Sequence, residues 1–152
     1  MTIVRTRNLA AIALSLLGLV AAPAAAQDGM RLARECVQRM QEITGNHVEQ
    51  DQGITRRTIK ALRQADEEGA PDRVLRSIAG NGVKRIDAIT LHGHTAIHET
   101  AFACVRKLKE IGASDQLIQT VRRVAMASNE KLNEAAHRSK QAIREALERA
   151  LG

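Results

Sequence analysis

Tryptophan and tyrosine are absent, and Phe102 is the only aromatic residue among 152. Recognition of single-stranded nucleic acid rests on stacking bases against several aromatic faces, so the composition predicts no nucleic-acid partner. Proline is almost absent too, at positions 23 and 71 only. Cysteine occurs twice, at 36 and 104, with no CxxC or CxxCH spacing. That removes support for thioredoxin-like redox chemistry and for covalent haem attachment. No stretch sustains the period-two alternation of a half-buried strand. Without strands there is no strand–turn–helix setting for a nucleophile elbow or a phosphate loop. Serines fall in helical patterns or at caps, and Asp66-Glu67-Glu68 reads as a solvated helix end. No enzyme activity is expected. Beyond residue 26 no apolar run approaches the roughly 18 residues of a membrane span.

What is present begins with an export signal. Residues 1–8 carry Arg5 and Arg7 and no acid, and residues 9–22 are apolar or small apart from Ser15. Pro23 breaks that run, and Ala24-Ala25-Ala26 places small residues before the bond from Ala26 to Gln27. This pattern predicts a signal peptide over 1–26 for the general secretory route, with the mature chain in a periplasm or outside the cell. The formal charge of +6 falls to +4 once Arg5 and Arg7 are removed. Such a modest excess predicts weak attraction to anionic surfaces.

Residues 27–152 are expected to form one all-α domain, an elongated antiparallel bundle of four to five helices. Between residues 30 and 68 apolar residues recur at helical spacing through Ala33, Cys36, Met40 and Ile43, then Ile54, Thr58, Leu62 and Ala65. One long kinked helix is favoured here over a hairpin. Gly69-Ala70-Pro71 breaks the chain, with Pro71 suited to the first position of a short helix through Leu75 and Ile78. Gly80-Asn81-Gly82 reads as its terminator. A long hairpin follows, with arms over about 82–111 and 114–151. The first arm carries a stripe at 83, 86, 90, 93, 97, 101, 104, 108 and 111, with Phe102 at its edge. Ser114 is placed to cap the second arm. That arm's stripe runs Leu117, Val121, Val124, Ser128, Leu132, Ala135, Ser139, Ala142 or Ile143, Ala146 and Ala150. Many of its members are small, which lets another helix approach closely.

Two cysteines in an exported chain predict a Cys36–Cys104 disulfide. Cys-Val-Gln-Arg-Met-Gln-Glu-Ile at 36–43 echoes Cys-Val-Arg-Lys-Leu-Lys-Glu-Ile at 104–111, so both cysteines sit at the same place in their stripes.

Histidines supply the one metal-like pattern. His94 and His98 are four apart and share a helix face, a spacing that can grip one transition-metal ion such as zinc, copper or nickel. His92 and Glu99 point elsewhere on the same helix. Glu134 and His137 have the i, i+3 spacing of carboxylate–histidine pairs, but both lie far round the helix from its core stripe. His47 could join only if the first helix docks beside them. The expected role is therefore non-catalytic and cofactor-free: a structural or protein-interaction module of the cell envelope, acting through a protein partner or self-association along coiled-coil-like helix stripes. The alternative is a periplasmic metal-binding protein using His94 and His98.

Overall fold

The computed structural model describes residues 24–152; residues 1–23, which hold the body of the expected leader, lie outside it. Ala24–Ala26, just before the expected cleavage point, begin the first helix. Among the described residues the architecture is all-α. Three helices follow one another up, down and up: α1 (Ala24–Glu67), α2 (Asp72–Glu110) and α3 (Asp115–Leu151). At 1.5 Å per residue they are about 66, 58 and 55 Å long. Each packs along both of the others. The count corrects the expectation of four to five helices. Residues 30–68 form a single helix rather than a hairpin, and the hairpin arm expected from 82 begins ten residues earlier, at Asp72.

Both turns are built the same way. Residues 69–72 read Gly-Ala-Pro-Asp and residues 112–115 read Gly-Ala-Ser-Asp. In each the glycine takes a left-handed conformation, φ 71° at Gly69 and 67° at Gly112. The amide of Gly69 donates to the Asp66 carbonyl and that of Ala70 to the Ala65 carbonyl, both at 2.9 Å. Gly112 and Ala113 repeat the pair with Lys109 and Leu108 at 3.0 and 2.9 Å. This is the 5→2 and 6→1 pairing that satisfies the last carbonyls of a helix. Pro71 and Ser114 then occupy equivalent N-cap positions with extended backbone, and Asp72 and Asp115 face the positive helix ends. Pro71 thus precedes the first helical position instead of filling it. The Ser114 side chain makes no capping hydrogen bond, so its backbone carbonyl alone starts α3.

Gly80-Asn81-Gly82 does not terminate anything. A glycine in a helix interior costs only about 1 kcal/mol relative to alanine. Here Gly82 faces inward against α1. A Cβ on it would lie 2.6 Å from both Cγ2 and Oγ1 of Thr58. The missing side chain is therefore a point of close approach, and the packing it permits carries the helix through. Gly93 does the same one stage along α2, where a Cβ would meet Leu132 at 2.7 Å and the His47 ring at 3.1 Å.

The core is divided. One cluster lies towards the turn at Gly112 and includes Cys36, Met40, Ile97, Cys104, Leu108, Val121 and Leu132. The other lies towards Pro71 and includes Ile54, Leu62, Leu75, Ala79, Ile86, Ile143 and Ala146. Between them α1 turns Thr44, His47 and Asp51 inward, and α2 adds Thr90. The expected stripes of α2 and α3 are the buried faces through positions 86, 90, 93, 97, 104 and 108 and through 121, 128, 132, 135, 139, 143 and 146. Two positions depart from this: Ile111, the last expected member, caps α2 and is 39% exposed, and Phe102 at the stripe's edge is 64% exposed.

Candidate functional site

Cys36 and Cys104 are joined as a disulfide, with Cα atoms 6.1 Å apart and 68 positions between them in sequence. The bond ties α1 to α2 near the Gly112 end. Glu35, Arg39, Glu99 and Lys107 surround a groove of about 320 Å³ beside it.

The polar layer in the middle of the bundle holds the unusual chemistry. Thr44 Oγ1 donates to the Met40 carbonyl at 2.7 Å, and Thr90 Oγ1 to the Ile86 carbonyl at 2.9 Å. His47 Nδ1 lies 2.7 Å from the Ile43 carbonyl. A carbonyl only accepts, so Nδ1 carries the proton. Each of these groups buries its polar atom by donating one turn back along its own helix. Asp51 cannot copy them. An ionised carboxylate has no proton to give. Asp51 is 1% exposed, and neither Oδ1 nor Oδ2 has a hydrogen-bond partner. Burial pushes its carboxyl up from 3.8 to about 6, against the pull of His47 and Lys140 and with a small further push from Asp87. Protonated, it gains the donor that Thr44 and Thr90 already have. Lys140 Nζ stands 2.8 Å from Asp87 Oδ1 and crosses from α3 to α2 at the edge of the layer.

The sequence signal for Asp51 was its place on the α1 stripe. Extending Ile54, Thr58, Leu62 and Ala65 backwards at helical spacing gives Asp51, His47, Thr44 and Met40. All four are buried.

His94 and His98 are not brought to a common ligand set. His94 is half-buried, with Nδ1 2.7 Å from Asn129 Oδ1 and Nε2 2.9 Å from Asn133 Oδ1. The two asparagines are one turn apart on α3 and clamp the ring from both ends, which locks α2 to α3. His98 is exposed and so are Glu134 and His137. His92 lies on the other side of α2, its ring centroid 5.6 Å from that of His47. Docking of α1 does bring His47 to α2, but against Gly93 rather than beside His94 and His98. Among the described residues no three His, Cys, Asp or Glu side chains converge as a metal-holding group.

Two surfaces complete the inventory. On the α2–α3 face Leu91 is 69% exposed, Phe102 64% and Met126 65%. Leu91, His98 and Phe102 share one face of α2 by helical period. The register fixed by His94–Asn129 and Asp87–Lys140 sets Met126 on the neighbouring helix between the levels of Leu91 and Phe102. On the α1–α2 face a groove of about 510 Å³ is lined by Arg56, Arg57 and Arg85 with Asn46, Glu49 and Gln50. Compared with protein-family models, with curated proteins and with solved structures, the chain matches none.

Proposed function

We propose that this is an exported, non-catalytic helical module with a structural or protein-interaction role in the cell envelope. The observation that carries the reading is the exposed apolar set Leu91, Phe102 and Met126 on the α2–α3 face. Large apolar side chains this open, on one side of two neighbouring helices, are characteristic of surfaces that another protein covers. Export is supported by the leader pattern in the sequence and by the disulfide, which persists only where thiols are oxidised. No helix among the described residues is long and apolar enough to cross a membrane.

The alternative reading, a transition-metal carrier using His94 and His98, has less support. Both ring nitrogens of His94 already face asparagine oxygens, so a metal must displace at least one of them.

A second copy of the chain is the first partner to test. Sedimentation velocity of the oxidised mature protein should show a concentration-dependent dimer, and Phe102→Asp should shift it to monomer with unchanged helicity. Monomer at all concentrations, together with no envelope protein crosslinked by a photoreactive residue at position 91, would remove the interaction role from this face.

A further inference from the structure

The opposite side of α2 carries a different feature. Residues 52–65 of α1 and 73–86 of α2 hold eight arginines and lysines and no acid. These segments are antiparallel neighbours, pinned together where Gly82 meets Thr58. The close approach has an electrostatic consequence. Arg57 is adjacent to Thr58 and Arg85 is three residues from Gly82, and both guanidiniums line one groove with Arg56. Lys60 and Lys84 are exposed on the flanking turns. None of these five has an ion pair or a side-chain hydrogen bond among the described residues. The five ion pairs among the described residues all involve other side chains. Elsewhere on this surface i, i+4 pairs such as Arg76–Asp72 and Arg138–Glu134 neutralise charge locally. Here three guanidiniums share the groove with a single carboxylate, Glu49, and Lys60 and Lys84 flank it, so a net positive charge remains, which opposes folding unless an anion neutralises it.

We infer that the α1–α2 face around Arg57 and Arg85 docks the phosphate headgroups of an anionic phospholipid surface. A guanidinium matches phosphate oxygens as a planar two-toothed fork, so phosphate is the ligand chemistry. The spread of charge selects a surface over a free ion. Arg56, Arg57 and Arg85 line the groove, whereas Lys60 and Lys84 lie outside it, so a single phosphate in the groove leaves the two lysines unneutralised. The three most exposed large apolar side chains, Leu91, Phe102 and Met126, lie on the α2–α3 face instead, and Val74 and Ile111 are open only to 38% and 39%. Attachment is therefore peripheral and salt-sensitive, with nothing inserted into the hydrocarbon. The inference uses a different face from the proposed protein contact and stands or falls separately from it.

The test is co-flotation of the oxidised mature protein with vesicles, either phosphatidylcholine alone or with about one-third phosphatidylglycerol, at low and physiological salt. Each basic side chain near an anionic surface strengthens binding about fivefold. Arg57→Glu with Arg85→Glu should therefore weaken binding to the anionic vesicles by at least about twentyfold. Arg122→Glu with Arg123→Glu, at the far end on α3, carries the same net charge change and should leave binding within a few-fold of wild type. Arg57→Gln with Arg85→Gln is the milder variant if circular dichroism shows the first pair misfolded. Equal losses in both pairs would reduce the effect to net charge and overturn the site. Binding to neutral vesicles alike, or no flotation at low salt, would also overturn it. Retention on linear polyphosphate without flotation would reassign the groove to a soluble phosphate chain and end the lipid reading.

Discussion

At the end of the bundle that holds the disulfide, one of nine buried core residues is alanine; at the end that holds Pro71, four of nine are. The first end fills its interior with Met40, Ile97, Leu108 and Leu132 and adds a covalent bond between α1 and α2. The second has smaller side chains, and its helices close in through Gly82 on Thr58. Apolar burial stabilises by roughly 25 cal/mol per Å², so an alanine-rich cluster gains less per residue than one built on leucine, isoleucine and methionine. The Pro71 end also borders the polar layer, where Asp51 holds two oxygens with no donor. The same three helices thus present a stapled half and a half that relies on backbone proximity. Amides of the Pro71 half are expected to exchange first, since local opening follows the least-supported contacts.

The largest effect that can break this asymmetry is loss of the staple. Replacing Cys36 and Cys104 by Ser together should lower stability by about 4 kcal/mol, from the loop of 68 positions that the bond closes. Urea denaturation reads the loss, and hydrogen exchange should show the protection of Met40 and Leu108 falling towards that of Leu62 and Ala79. Equal unfolding midpoints under oxidising and reducing conditions would show that the bond does not set the difference.

Next in size is Asp51. Its folded carboxyl titrates near 6 and the unfolded one near 3.8, so the folded state holds the proton more tightly. This group's stabilising contribution is therefore fully present below about pH 4, is lost as pH rises to about 6, and stays lost above. At 1.36 kcal/mol per unit the change is about 3 kcal/mol. Asp51→Asn carries no charge and can donate to a carbonyl at every pH. Its stability advantage over wild type should therefore open between pH 4 and pH 7 by up to that amount. A gap that stays constant with pH, measured by urea denaturation at both ends, would remove burial of the charge as the cause.

The smallest change sharpens the role of proximity. Gly82→Ala should cost about 1–3 kcal/mol by overpacking against Thr58. Gly80→Ala, where the new methyl meets nothing within 4 Å, should instead stabilise by up to about 1 kcal/mol. Thermal melting of the two variants separates the cases. Shifts of the same sign would mean that helix propensity alone governs both sites.

Much of the frame was legible because helical periodicity is a local property. The stripes on α2 and α3, the breaks at 69–71 and 112–114, and the pairing of two cysteines placed alike in their stripes needed only spacing and residue type. Gly80-Asn81-Gly82 was misleading for the opposite reason. Whether a glycine ends a helix or admits a neighbour depends on what lies across from it. Phe102 was placed at a core edge by its period, but three helices leave that flank of α2 open. His94 and His98 share a face as the spacing required, yet the partners of His94 are Asn129 and Asn133, 35 and 39 positions away, which no local pattern announces.

The sequence by itself determined that the described chain is helical, where its two turns fall and which face of each helix is apolar, because backbone propensity and side-chain period act over a few residues. Only the tertiary structure decided that the described residues form three helices and not more, that Asp51 is buried without a donor, and that Arg57 and Arg85 line one groove. Those facts depend on which surfaces of distant segments come within a few ångströms of one another, and that distance is set by the side chains missing at Gly82 and Gly93 as much as by those present.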